Sequence, residues 1–117
     1  MNDKTLLELA AKAAGINVVG DIEKYLVFPE RRAGGFIIET ATGGHTGWNP
    51  LTDDGDALRL AVKLSIHVLQ YGTVTTAKHV GSTTCFDERG DGQSDKTQET
   101  ATRRAIVRCA AEIGKAA

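Results

Sequence analysis

The stretch Gly47–Leu64, GWNPLTDDGDALRLAVKL, decides how this chain is read. It holds the only tryptophan and one of two prolines, then three acids within four residues, then an amphipathic run. The acids have two readings. As a site, Asp53, Asp54 and Asp56 would bind a hard cation or act as a carboxylate pair. A calcium loop, however, needs oxygen ligands at alternating positions and a closing bidentate acid, and Leu58 and Leu60 occupy the later positions. As a helix start, the same residues fall into place. Thr52 can cap the first turn, the acids sit at the positive end of the helix dipole, and Leu51 can act as a hydrophobic staple. The helix reading is the simpler one. It predicts a buried stripe of Ala57, Leu58, Ala61, Val62 and Leu64, with Arg59 and Lys63 on another face. Trp48 is read first as a core residue and second as a stacking surface.

The segments on either side extend this pattern. KTLLELAAKAA, residues 4–14, places Leu6, Leu9, Ala10 and Ala13 at helical spacing, with Asp3 or Thr5 as a cap and Gly15 as a stop. EKYLVFPE, residues 23–30, has β-type residues interrupted by Pro29, which suits an edge strand or extended arm. RRAGG then makes a turn, and GGFIIET reads as a second strand. TATGGHTG, residues 40–47, has the composition of a loop. After the middle helix the period changes. Val, Ile, Thr and Tyr dominate between Gly72 and Gly81 and on either side, predicting antiparallel strands near 65–70, 73–79 and 82–87. ERGDGQSDKTQ reads as a polar loop. A last helix follows, with Ile106, Cys109, Ala110 and Ile113 buried, Arg104, Arg108 and Lys115 on another face, and Gly114 as its end. The order predicts an α+β fold. About three helices would flank an antiparallel sheet of four to five strands as an α-β-α sandwich, in one domain over residues 1–117.

Bulk properties narrow the function classes. At 117 residues the chain suits one small core, and 41% hydrophobic with 25% charged residues is ordinary for a globular protein. A net charge of -1 gives no basic field for DNA or RNA, and no apolar run approaches the ~20 residues that span a bilayer. The first fifteen residues carry acids and no apolar core of a secretory signal, so the expected location is cytoplasmic. Aromatic residues make up only 5%, which favours added stability through homo-oligomers. Cys85 and Cys109 are too few for a disulfide scaffold and read as buried or semi-buried thiols. His45, His67 and His79 lack metal-ligand spacing, so neither metal nor cofactor is expected.

The remaining motifs are equally sparing. Read as a calcium loop from Asp87, the 87–99 segment fails at Arg89 and Gln98. The glycines at 34, 35, 43 and 44 match no phosphate loop or dinucleotide fingerprint. No serine or cysteine lies in a nucleophile motif, so a non-enzyme is expected. Arginine forks suit phosphates and carboxylates, and Arg103, Arg104 and Arg108 cluster on the last helix, beside Thr100 and Thr102. On sequence alone a solvated helix face is the simpler reading of that cluster. Arg31 and Arg32 form a second pair. A cleft joining either group to an aromatic ring would offer phosphate contacts and base stacking.

Taken together, WNPLTDDGDALRLAVKL and TATRRAIVRCAAEIG resemble the phage ABA-sandwich domain family of small phage and prophage proteins. There a Trp-x-Pro segment leads into the middle helix, strands follow, and an Ala-rich helix closes the chain. The resemblance covers most of the chain and implies helices flanking an antiparallel sheet. Anti-Thoeris sponge proteins are similar in size and layout. They assemble as oligomers and sequester nucleotide immune signals, including cyclic ADP-ribose isomers and in some cases cyclic oligonucleotides, without degrading them. The resemblance therefore implies a homo-oligomeric phage anti-defence sponge acting in the host cytoplasm, with pockets at subunit interfaces. The alternative is a protein–protein inhibitor or adaptor. No ligand residue is carried over from that group. The site candidates come from chemistry: Arg103, Arg104 and Arg108 for phosphates, and Trp48, Phe86 or Tyr71 for stacking.

Overall fold

The computed structural model describes residues 2–21, 35–80, 85–90 and 97–116. The predicted arm at 23–30, the turn with Arg31 and Arg32, and most of the polar loop before the last helix lie outside them. Helix α1 (Asp3–Ala14) opens with Asn2, whose side chain accepts from the Thr5 amide at 2.8 Å, and closes on Gly15 in the left-handed region. The glycine stop is therefore as expected, while the cap is Asn2 rather than Asp3 or Thr5. Asparagine is as good a cap as aspartate, and here it stands one residue before the first helical turn. Leu6, Leu7, Ala10, Ala11 and Ala14 form the buried face.

A first antiparallel sheet follows, from β1 (Val18–Asp21), β2 (Phe36–Glu39) and β3 (His45–Trp48) in that order. The GGFIIET strand is β2. The threonine- and glycine-rich segment read as a loop is a hairpin turn followed by β3. The Thr40 amide donates to the Gly44 carbonyl at 2.7 Å, and Gly43 takes a φ of 87°, which closes the turn. Cross-strand pairing then outweighs the weak strand preference of Gly47, and Phe36 pairs with Trp48 across the hairpin.

Helix α2 (Asp54–Leu64) confirms that the acids start a helix, with two corrections. The cap is Asp53, whose carboxylate accepts from the Asp56 amide at 2.9 Å. Thr52 instead turns its hydroxyl to the Asn49 carbonyl, at 3.4 Å. The buried stripe is Asp56, Ala57, Leu60 and Ala61, one step around the helix from the predicted one, so Leu58 and Val62 face outward. The sequence offers four large apolar residues in this helix, and periodicity alone does not choose which pair faces in.

A second antiparallel sheet has the order β4 (Ile66–Tyr71), β5 (Val74–His79), β6 (Cys85–Arg89). The first two match the predicted strands closely, and the third is described over Cys85–Arg89, residues 82–84 of the predicted span lying outside the described residues. Register places Ile66, Val68 and Gln70 on one face with Thr75, Ala77 and His79, and with Phe86 and Glu88. Helix α3 (Gln98–Ala116) packs on that face and also against α1 and α2. The seam between sheet and helix is partly polar. Thr75, fully buried, donates to Gln70 Oε1 at 2.8 Å and lies 3.0 Å from the Thr102 hydroxyl, while Gln98 Nε2 reaches both Gln70 and Thr75.

Gly114 does not end α3, which continues to Ala116. A Cβ at this position would stand 2.0 Å from the Leu9 carbonyl oxygen, so the glycine is where α1 and α3 approach most closely. Buried alanines on both helices, such as Ala10, Ala14 and Ala110, serve the same close packing. One core cluster joins the three helices to Phe36 and Trp48 of the first sheet and Ile66 and Ala77 of the second. The architecture is the expected α+β arrangement of three helices with antiparallel strands. Among the described residues it has six strands rather than four or five, divided between two three-stranded sheets.

Candidate functional site

Arg104 and Arg108 are four residues apart on α3, so their side chains leave the helix on one face. That face borders β6, where register turns Phe86 toward the helix. Between them runs a groove of about 410 Å³ lined by Phe86, Glu88, Arg104, Arg108, Glu112 and Lys115 among others. The three cations predicted to share a helix face thus share a groove, and one of the three candidate aromatic rings is in it. Sequence reasoning did not place Glu88 or Glu112 there. Their signal was available in part, since Glu112 follows Arg108 by four residues.

The Arg108 guanidinium lies over the Phe86 ring, 5.1 Å from its centroid, a cation–π arrangement that fixes both groups. Arg108 Nη1 also donates to Glu88 Oε2 and, at 3.4 Å, to the Asp87 carbonyl. Those bonds leave Nη2 and Nε unused by the described residues. Arg104 Nη1 bonds Asp3 Oδ1 at 3.1 Å, linking α3 to the first turn of α1. Lys115 pairs with Glu112 at 3.7 Å. Three cations face two carboxylates within the groove, and, among the described residues, both arginines keep unused donors on a partly exposed guanidinium. The arrangement is suited to an anion carried on a flat group: the guanidinium forks would meet the charge, and the ring lies beside them.

Arg103 points elsewhere. Its Nε donates to the Leu51 carbonyl at 2.9 Å, its Nη1 bonds Asp54, and its Nη2 reaches the Thr100 hydroxyl at 3.2 Å. It is a clamp between α3 and the start of α2, and its donors are consumed by the fold. Trp48 is 4% exposed and sits in the core, the first of its two readings. Tyr71 is 63% exposed on the outer face of β4, across the sheet from Phe86 and at the opposite edge. Of the six candidates the structure brings together Arg104, Arg108 and Phe86.

The acids of the opening stretch each have a structural partner. Asp53 caps, Asp54 holds Arg103, and Asp56 is buried. Asp56 accepts from the Asn49 amide at 2.9 Å and from Arg59 Nη2 at 2.8 Å. Among the described residues no three His, Cys, Asp or Glu side chains gather as a metal site. Cys109 is buried in the core, as expected of a buried thiol. A wider cleft of about 620 Å³ lies between the end of α1, the β2–β3 hairpin and α2, with Trp48 and Leu60 in its floor and Glu39, Arg59 and Lys63 at its sides. Its charges are balanced, and Arg59 is already engaged by Asp56 and Asp53. No helix among the described residues is long and apolar enough to cross a membrane. No family model, no curated protein and no solved structure matches the chain.

Proposed function

We propose that this protein is a binding protein for a phosphate-bearing nucleotide ligand, which it holds in the groove between α3 and β6 without cleaving it. The observation that carries the reading is the meeting of Arg104, Arg108 and Phe86 in one groove. Arginine forks supply bidentate phosphate contacts, and an aromatic ring with a guanidinium over it supplies a flat surface beside them. A ligand phosphate would take the free guanidinium donors and compete with Glu88 and Asp3 for the rest. Together with the sequence resemblance described above, this favours the role of a phage anti-defence sponge for cyclic nucleotide signals, with cyclic ADP-ribose isomers and cyclic oligonucleotides as the ligand classes.

The test is a thermal-shift panel of those compounds, because a ligand that binds only the folded state raises its melting temperature by mass action. No shift with any of them at high concentration would end the proposal. A second reading, an adaptor that docks on a host or phage protein, draws on the exposed Leu58 and Val62 of α2.

A further inference from the structure

Helix α2 packs on α1, α3 and β4 but scarcely on the first sheet, and the cleft of about 620 Å³ fills the space between those two surfaces. It shares no lining residue with the groove between α3 and β6. On one wall, Asp56, Arg59, Leu60 and Lys63 follow at three- and four-residue spacing, a single stripe of α2. On the other, Ile38 pairs with Thr46 on the same sheet face as Phe36 and Trp48. The volume lies within the roughly 300–1,000 Å³ of sites that hold small molecules.

The floor is apolar, because Leu60 and Trp48 are 2% and 4% exposed and Ile38 packs beside them. Trp48 also keeps a donor. Its indole N–H finds no acceptor among the described residues, yet none of their side-chain nitrogens or oxygens is sealed away without a partner. That N–H therefore meets solvent, and this is the cleft that Trp48 lines.

The walls carry charge of both signs, and most of it is spent. Asp56 is buried against the Asn49 amide and Arg59, and Arg59 holds Asp56 through Nη2 with Asp53 3.9 Å away. Two lining residues form no ion pair with any described residue: Lys63 on α2 and Glu39 on β2. Glu39 accepts from Asn17 Nδ2 at 3.0 Å through Oε2, which leaves Oε1 open. Unpaired charges are ordinary on a solvated face, but here a cation and an anion flank an apolar floor. An anion alone would meet Glu39, and a cation alone would meet Lys63 and Arg59. A molecule with both charges satisfies both walls.

We infer that this cleft binds a small zwitterion with an apolar side chain, of the amino-acid or dipeptide class. Its carboxylate meets Lys63 and the remaining donors of Arg59, its ammonium meets Glu39, and its side chain rests on Trp48 and Leu60. In a dipeptide, the peptide carbonyl accepts from the Trp48 N–H. The site is independent of the nucleotide reading of the other groove.

Isothermal titration of L-leucine, L-methionine, L-phenylalanine and the dipeptide Leu-Leu into the full chain tests this. Trp48, the only tryptophan, reports on the cleft through its fluorescence. Saturable binding of at least one compound is expected, with a change in Trp48 emission. The N-acetylated and the amidated form of that compound each lose one charge and should bind at least about tenfold more weakly. Lys63→Gln and Glu39→Gln should each weaken the zwitterion by roughly tenfold, with circular dichroism confirming the fold, while Arg108→Ala leaves its affinity unchanged. No saturable binding across the panel would overturn the proposal. So would equal affinity for the blocked forms, or binding indifferent to both Lys63→Gln and Glu39→Gln.

Discussion

The guanidinium of Arg108 lies 5.1 Å from the centre of the Phe86 ring, so that the charge of α3 and the aromatic face of β6 form one surface. The pair is half-exposed, and its ion pair with Glu88 is partly exposed as well. Its value to folding is therefore small. Arg108→Gln is expected to lower unfolding stability by about 0.5–1 kcal/mol, measured by urea denaturation. A loss of several kcal/mol would make the pair a structural clamp, as Arg103 is, and would remove it as a ligand surface.

Gly114 and Leu9 provide the sharpest packing test. Glycine to alanine in a helix interior normally gains up to about 1 kcal/mol. Here the added methyl would meet the Leu9 carbonyl oxygen at 2.0 Å, and backbone must move to admit it. Gly114→Ala is expected to destabilise by about 1–3 kcal/mol net in chemical denaturation. Equal or greater stability would mean that α1 and α3 are not in close contact there.

The opening stretch predicts a contrast between neighbours. Asp53→Ala removes the α2 cap and should cost about 1 kcal/mol, whereas Thr52→Ala should stay within about 0.5 kcal/mol. Asp56→Ala removes the buried acceptor of the Asn49 amide and of Arg59, and should cost about 1–3 kcal/mol. Calcium or a chelator should leave the melting temperature unchanged in wild type. If Thr52→Ala cost more than Asp53→Ala, the cap assignment would be wrong.

The seam between α3 and the second sheet gives a further expectation. Thr75→Val keeps the volume of a fully buried side chain but deprives Gln70 and Gln98 of a hydrogen-bond partner. The expected loss is about 1 kcal/mol. No loss in denaturation would mean that this network contributes packing alone.

These cases also show which features the sequence carried. Helix existence was legible because apolar spacing and stop residues agree, as at Leu6, Ala10 and Gly15, while the buried face takes Leu7, Ala11 and Ala14 in place of the expected Leu9 and Ala13. Helix phase was not, because α2 has four large apolar residues and tertiary packing selects Leu60 over Leu58 and Val62. The β3 strand was hidden by glycine and threonine, which pair adequately once Thr40–Gly44 closes a hairpin. Gly114 read as a stop, since close approach of α1 depends on a partner distant in sequence. For the candidate site, the 3.6-residue period was enough to set Arg104, Arg108 and Lys115 on one face. It could not show that Arg103, one step around the helix, is consumed by Leu51 and Asp54, nor that β6 delivers Phe86 to the same groove.

The central claim is that Arg104 and Arg108 hold an anionic nucleotide beside Phe86. Isothermal titration of cyclic ADP-ribose isomers and cyclic di- and trinucleotides into wild type, Arg104→Ala and Arg108→Ala tests it most directly. Saturable binding of at least one compound to the wild type is expected. Each substitution should weaken it by roughly tenfold or more, in keeping with a lost charge-assisted phosphate contact. Absence of binding across the panel, or equal affinity in both variants, would contradict it.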